Sequence, residues 1–164
     1  MELRTARLVL RRARPGDLDD VHAILSDPRA MRYWSTLPHE TLAESAAYLD
    51  DMLVAATDRD LFIVEQAGRV IGRVGMWKQP EVGFILHPDS WGRGFGYEAM
   101  QAFIAHAFAT HDIPELTADA DPRNEASLGL LRKLGFVETG RAERTFLIGG
   151  EWFDSVYLAL RRPS

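Results

Sequence analysis

One stretch of the chain, residues 81–98, constrains the fold more than any other. It reads EVGFILHPDSWGRGFGYE. Its apolar run over residues 82–86 has the length of a strand, and the His-Pro-Asp-Ser that follows ends this run with turn-forming residues. Glycines then occupy every second position from 92 to 96, and apolar residues at helical spacing begin at Tyr97. The stretch therefore predicts a strand, a glycine-rich turn and a helix, in that order.

A glycine-rich turn that opens a helix is a candidate anion site. A backbone without side chains lets a ligand approach closely, and the first amides of a helix have no internal partners. Together with the helix dipole, these amides favour a phosphate. The pattern differs from the dinucleotide fingerprint, which needs Gly-x-Gly-x-x-Gly after an early strand and an acidic residue about 20 positions on. It also lacks the Gly-Lys-Ser/Thr of a triphosphate loop.

The rest of the chain predicts a mixed α/β protein. The order of the predicted elements is β-α-α-β-β-β-α-β-α-β-β, and two turns, at Gly68 and at Gly149-Gly150, indicate antiparallel hairpins. Near the C-terminus, residues 136–139 and 145–148 are predicted as two short β segments. We expect a largely antiparallel sheet of about six or seven strands flanked by helices. A length of 164 residues, 46% of them hydrophobic, fits one domain over residues 1–164.

Composition excludes several classes of protein. The net charge of -5 disfavours a nucleic-acid partner, and the absence of cysteine excludes disulfides, thiolate metal sites and a cysteine nucleophile. The five histidines show no paired ligand spacing, so the sequence predicts no metal. No run approaches the roughly 20 apolar residues of a membrane span, and the N-terminus has no signal-peptide core. We expect a soluble, cytoplasmic protein.

Two motifs carry a resemblance to a known family. Residues 83–99 match Gly-Tyr-x-Leu-His-Pro-x-x-Trp-Gly-x-Gly-Tyr-x-x-Glu-Ala, with Phe in place of both Tyr, and residues 124–136 match Asn-x-x-Ser-x-x-Leu-x-x-Lys-Leu-Gly-Phe. The N-terminal segment over residues 3–11 and the final hairpin with Asp154 also match the pattern of the same family. In this order the blocks resemble the GCN5-related N-acetyltransferases, and most closely the branch that acetylates N-terminal amines of ribosomal proteins. The resemblance covers nearly the whole chain.

The resemblance implies acetyl-coenzyme A as co-substrate. Its pyrophosphate is expected on the amides of residues 92–97, and its pantetheine is expected beside β-strand residues just before the turn. An amide-bearing pantetheine can satisfy an exposed strand edge. The common family pattern has Gln or Arg where this chain has Trp91, so we expect greater reliance on backbone amides. The implied cofactor-binding residues are Ile85, Leu86, His87, Trp91, Gly92, Arg93, Gly94, Phe95, Gly96, Tyr97 and Asn124.

The family also implies catalytic residues, each with a plainer alternative. Glu81 is the candidate base for the amine, and otherwise a solvated residue at a strand end. Asn124 is a candidate for a bond to the cofactor, and otherwise a helix N-cap. Ser127 is the candidate proton donor to the leaving thiolate, and otherwise a local cap. Many relatives have a Tyr where this chain has Leu131, which cannot donate a proton.

The acceptor is expected to be a primary amine, either a protein N-terminus or a small molecule. Tyr33 and Trp34 are candidate acceptor-binding residues, although aromatic residues also dominate cores. Without cysteine, the acetyl group is expected to pass directly to the amine in a ternary complex. The alternative is a non-catalytic acyl-coenzyme A-binding module of the same fold. Because relatives are often monomers or dimers, the resemblance implies a monomer or a homodimer.

Overall fold

The computed structural model describes residues 1–54 and 57–164, and the elements below are those of this described part. This part forms four α-helices and eight β-strands. In chain order they are β1 (Glu2–Arg4), β2 (Leu8–Arg11), α1 (Leu18–Leu25), α2 (Leu42–Leu53), β3 (Asp60–Gln66), β4 (Arg69–Lys78), β5 (Glu81–Leu86), α3 (Phe95–Thr110), β6 (Glu115–Ala120), α4 (Glu125–Lys133), β7 (Val137–Ile148) and β8 (Glu151–Arg161).

All eight strands belong to one sheet, in the order β1-β2-β3-β4-β5-β6-β8-β7. Neighbouring strands pair antiparallel except β5 and β6, which run parallel in the middle of the sheet. That parallel pairing is limited to Glu81 opposite Thr117. The sheet is thus two antiparallel halves joined at a single point.

Helices cover both faces of the sheet. The larger core lies under α3 and α4 and includes Phe62, Met100 and Phe103, none of which is exposed to solvent. A smaller core lies under α1 and α2 and includes Ile63 and Ile85. Because successive strand residues point to opposite faces, the continuous apolar run of β3 is buried on both sides.

The sequence predicted the class and element order correctly, and two details differ. The sheet has one short edge strand, β1, that the sequence did not predict, because three residues with one apolar side chain carry no usable alternation. The two segments predicted over residues 136–139 and 145–148 form the single strand β7, which begins one residue later, at Val137. Its pairing with β8 shifts register between Ala142 and Phe146, which is why its pattern reads as interrupted. Within the described residues, no helix combines the length and apolar character needed to cross a membrane.

Candidate active site

The centre of the sheet opens where β5 and β6 separate. Thr117 donates its amide to the Pro80 carbonyl at 3.0 Å, and Glu81 is opposite Thr117 in the parallel register. Beyond this point β5 keeps its ladder with β4, but no described strand pairs with its other edge. Backbone amides and carbonyls along that edge are therefore available to an extended ligand.

A cavity of about 990 Å³ occupies this opening. Its wall combines the segment between α1 and α2, strand β5, the start of α3, strand β6 and the first turns of α4. It thus reaches both faces of the sheet. The structure places these predicted site residues in the wall: Tyr33, Trp34, Ile85, Leu86, Trp91, Gly92, Gly94, Phe95, Gly96, Tyr97, Asn124 and Ser127. Glu81, His87 and Arg93 lie outside it.

The glycine-rich turn presents a row of unpaired amides. Within the described chain, no backbone amide of residues 92–97 donates to another backbone carbonyl, and Glu98 is the first to do so, to Gly94 at 3.1 Å. Gly92 and Gly94 have φ values of +73° and +79°, which L side chains rarely adopt. The turn therefore depends on glycine and leaves its amides for an anion.

The N-terminal segment holds this turn in place. Glu98 accepts hydrogen bonds from the Thr5 hydroxyl at 2.5 Å and from the Arg7 side chain at 2.8 Å. Arg7 also donates to the Arg93 carbonyl at 2.8 Å and packs against the Phe95 ring. Burial alone would raise the pKa of Glu98, but these hydrogen bonds lower it. Glu98 is thus a structural anchor, and the contribution of Arg7 was not apparent from the sequence.

His87 and Trp91 shape the turn after β5. The His87 ring accepts the Asp89 amide at 3.1 Å, and the His87 amide donates to the Ile71 carbonyl at 2.8 Å. The Trp91 indole donates to the Leu86 carbonyl at 3.1 Å. Part of the β5 edge near Leu86 is therefore already satisfied by the protein itself. The backbone groups of β5 before Leu86 therefore remain available to a ligand.

Asn124 and Ser127 stand together at the start of α4. The Asn124 side-chain oxygen accepts the Ser127 amide at 3.2 Å and caps the helix. The capping role considered from the sequence is therefore confirmed, and it leaves the Asn124 amide group to donate elsewhere. The Ser127 hydroxyl makes no hydrogen bond with the described residues and lies in the cavity wall. Leu131 is 1% exposed and belongs to the core.

Two carboxylates stand beside each other where the strands separate. Burial raises the pKa of Glu81, and the neighbouring charge of Asp119 raises it further. Burial also raises the pKa of Asp119, partly offset by a hydrogen bond from Ser155. Both are at odd positions of β5 and β6, so they face the α1–α2 side. Asp119 was not predicted from the sequence; its signal was an acid between two alanines in the interior of strand β6.

A second polar cluster lies away from the cavity. The Nε2 atoms of His106 and His111 are 2.8 and 2.7 Å from the same oxygen of Asp60, and Arg12 is 2.6 Å from the other oxygen. Spacing along the chain did not reveal this convergence, because one partner comes from β3. Such distances are those of hydrogen bonds, with each ring donating to the carboxylate. The cluster ties the end of α3 to β3.

Comparisons with known proteins agree with this geometry. Residues 7–137 match the family profile described as "Acetyltransferase (GNAT) domain". The chain is 26% identical to spermidine N(1)-acetyltransferase of Escherichia coli over 150 residues, 88% of this chain and 80% of that protein. It is 35% identical to the [ribosomal protein uS5]-alanine N-acetyltransferase of Escherichia coli over 82 residues, 50% of this chain and 42% of that protein.

A solved structure shows the same fold. The ribosomal L7/L12 alpha-N-protein acetyltransferase RimL, in complex with coenzyme A, superposes with a TM-score of 0.87 at 17% identity, covering 98% of each chain. The predicted fold and the predicted acetyltransferase activity are both confirmed, and so is the resemblance stated from the sequence. With four fifths of its length matched by the family profile, the chain belongs to the GNAT acetyltransferases.

Proposed function

We propose that this acetyltransferase moves the acetyl group of acetyl-coenzyme A directly to a primary amine inside the cavity between β5 and β6. The observation that carries the proposal is that one opening combines groups that suit an anion with groups that suit a cation. Unpaired amides lie at one end of the cavity, and the carboxylates of Glu81 and Asp119 lie where the strands separate. An anionic donor and a cationic acceptor would each meet complementary charge.

The residues present fit the donor. The amides of residues 92–97 suit a pyrophosphate, and the open edge of β5 suits an extended chain with amide groups. Gly96 keeps the space between them open, since a Cβ there would lie 3.3 Å from Leu130 and 3.7 Å from Leu86. Arg93 and His87 would contact the donor, if at all, from outside the cavity wall. When bound, the donor supplies a thioester, whose carbonyl carbon is open to attack by a neutral amine.

Glu81 is proposed as the base that makes the amine neutral. An amine arrives protonated at neutral pH, and a carboxylate with a raised pKa is a better proton acceptor than an ordinary one. Glu81 keeps contact with solvent, so a water molecule can carry the proton between the amine and the carboxylate. Asp119 holds the pKa of Glu81 up and adds negative charge that favours a cation nearby.

Ser127 and Asn124 are proposed to serve the departing thiol. Ser127 lines the cavity, and its hydroxyl, which has no protein partner among the described residues, is free to donate a proton there. The Asn124 amide group can donate to the cofactor while its oxygen caps α4. Leu131 offers no donor, so water or Ser127 must supply the proton.

Tyr33 and Trp34 are proposed to bind the acceptor from the α1–α2 side. Both line the cavity and both are only partly buried. The relatives named above act on spermidine and on a ribosomal protein alanine, so amines of different size are candidates.

A screen of acceptors with acetyl-coenzyme A, read as free thiol, tests the proposal. The panel holds peptides with free N-termini, amino acids, polyamines and aminoglycosides. Mass spectrometry of the same samples locates the acetyl group. The proposal expects thiol release with at least one amine and acetyl on that amine only. Binding of acetyl-coenzyme A without thiol release for any amine would favour a non-catalytic module. Acetyl on the protein without an acceptor would exclude direct transfer.

A further inference from the structure

One buried charge near the cavity has no counter-charge among the described residues. Arg73 lies in β4 and is only 6% exposed. Its Nε and Nη1 atoms are fully enclosed and have no hydrogen-bond partner among residues 1–54 and 57–164. The guanidinium instead lies over the rings of Trp34 at 5.4 Å and Trp77 at 5.8 Å. Aromatic faces stabilise a cation but accept none of its N–H bonds in the guanidinium plane.

A second unpartnered donor belongs to the same place. The Tyr48 hydroxyl is buried and has no partner in the described chain. Its ring is 5.2 Å from that of Trp77, and the charge of Arg73 is close enough to lower the pKa of Tyr48, although burial raises it overall. Each buried donor without an acceptor costs free energy, and an anion that accepts a hydrogen bond from either of them would recover part of this cost.

Gly83 connects this charge to the cavity. Arg73 and Gly83 are on the face of the sheet that α1 and α2 cover, and Gly83 lines the cavity, as Trp34 does. A Cβ at Gly83 would lie 3.4 Å from the Arg73 Nη2 atom. The missing side chain therefore leaves Nη2 directly behind the cavity wall. Arg73 itself does not line the cavity, so an anionic group would have to approach Nη2 past the Gly83 backbone, on the same face of the sheet.

We propose that Arg73 binds a carboxylate of the acceptor, so that the acceptor carries an anion as well as its amine. This inference rests on the proposed function. Glu81 and Asp119 lie on the same face of the sheet as Arg73 and suit the ammonium end, while Arg73 and Tyr48 suit the carboxylate end. An amino acid or a small amino-acid derivative has this charge pattern. A polyamine does not, because one of its cations would face Arg73.

The test compares amino acids with their own amides. Leucine, phenylalanine and lysine are assayed beside leucinamide, phenylalaninamide and lysinamide, with spermidine as an acceptor without a carboxylate. Arg73→Met keeps the length of the side chain and removes the charge, and Arg73→Lys keeps the charge without the planar fork. Arg59→Met is the matched control, since Arg59 also lies over the Trp77 ring and also has a buried Nε without a partner in the described chain, but its Nη1 donates to the Asp51 carbonyl. Wild-type kcat/KM is referred to the concentration of the neutral amine, and each variant is expressed as its ratio to wild type for the same acceptor, so that differences in amine pKa cancel in both comparisons.

We expect the wild type to prefer at least one acid over its amide by about 10-fold or more in kcat/KM. Arg73→Met should lower kcat/KM for that acid by about 100-fold, mainly through KM, and change the amides little. Arg73→Lys should fall between, and Arg59→Met should match the wild type. Equal use of acids and amides by the wild type, or spermidine as the best substrate, would overturn the inference even if no Arg73 variant folds. In that case thiol release would still support the proposed function, whereas no release with any acceptor would contradict the proposed function itself.

Discussion

Two arginines of the central sheet are buried to the same extent and have opposite surroundings. Arg11 and Arg73 are each 6% exposed. Arg11 donates to both oxygens of Asp17, at 2.9 and 2.8 Å, and to Glu65 at 2.6 Å. Within the described chain, the Nε and Nη1 atoms of Arg73 have no hydrogen-bond partner, and its guanidinium lies over the rings of Trp34 and Trp77. The ion pairs of Arg11 hold β2 against the start of α1. Arg73 has no such ion pair, and we propose that it binds a ligand instead.

The carboxylates of the two regions differ in the same way. Burial would raise the pKa of Asp17 and Asp60, but hydrogen bonds from Arg11 to the first, and from His111, Arg12 and His106 to the second, lower both. Burial raises the pKa of Glu81 and Asp119, and no cation of the described residues compensates. The region around Arg11 and Asp60 thus contributes to stability, whereas the charges around the cavity are those that we propose for the chemistry.

The largest effect on stability is expected at Arg11. Arg11→Met leaves Asp17 buried without its cation and should lower the free energy of unfolding by about 3–5 kcal/mol. Arg73→Met removes a charge that has no partner in the described chain and should change it by about 1 kcal/mol or less, in either direction. Urea unfolding followed by circular dichroism measures both. A loss at Arg73 as large as at Arg11 would mean that Arg73 has a structural role.

A smaller effect is expected at Asp60. Asp60→Asn weakens the charge-assisted bonds from two histidines and Arg12 and should cost about 2 kcal/mol at pH 7. Because the folded pKa of Asp60 is lowered, its contribution is present above the ordinary Asp pKa and is lost as pH falls through the folded value. The difference between wild type and variant should therefore shrink in acid. A difference that stays constant down to about pH 3 would rule out this linkage.

Asn124 allows its two roles to be separated. Asn124→Ala removes the cap and should cost about 1 kcal/mol of stability, with weaker binding of acetyl-coenzyme A. Asn124→Asp keeps a capping oxygen but loses the amide donor. It should therefore keep the stability and still weaken cofactor binding, as measured by calorimetry. If Asn124→Asp bound acetyl-coenzyme A with full affinity, Asn124 would have only its role as a helix cap.

The smallest effect is a shift in pH dependence at Asp119. Asp119→Asn removes the negative charge beside Glu81, so the pKa of Glu81 should fall. Since Glu81 must be ionised to accept a proton, the acid limb of kcat/KM should move to lower pH. Asp112→Asn, which changes an exposed acid outside the cavity wall, is the control and should leave the limb in place. If the acid limb of kcat/KM stayed in place in Asp119→Asn, the charge of Asp119 would have no influence on the pKa of Glu81.

Local patterns predicted the elements of the fold well, because most of them are set by neighbours in the chain. The strand, turn and helix over residues 81–98 follow from apolar spacing and from glycines whose φ values are positive. Contacts across the sheet could not be predicted from the sequence. Asp119 is 38 residues from Glu81, and only the parallel pairing of β5 and β6 brings them together. Arg73 is an ordinary charged residue in a strand until packing shows which partners it lacks in the described chain.

The claim that Glu81 acts as the catalytic base is tested most directly by kcat/KM across pH for wild type and Glu81→Gln, with one accepted amine and acetyl-coenzyme A. The substituted amide keeps the size of the side chain and cannot take a proton. We predict that kcat/KM falls by about 100-fold or more, that the acid limb due to Glu81 disappears, and that the Kd of acetyl-coenzyme A is unchanged. Equal activity of the two proteins at every pH would contradict the account.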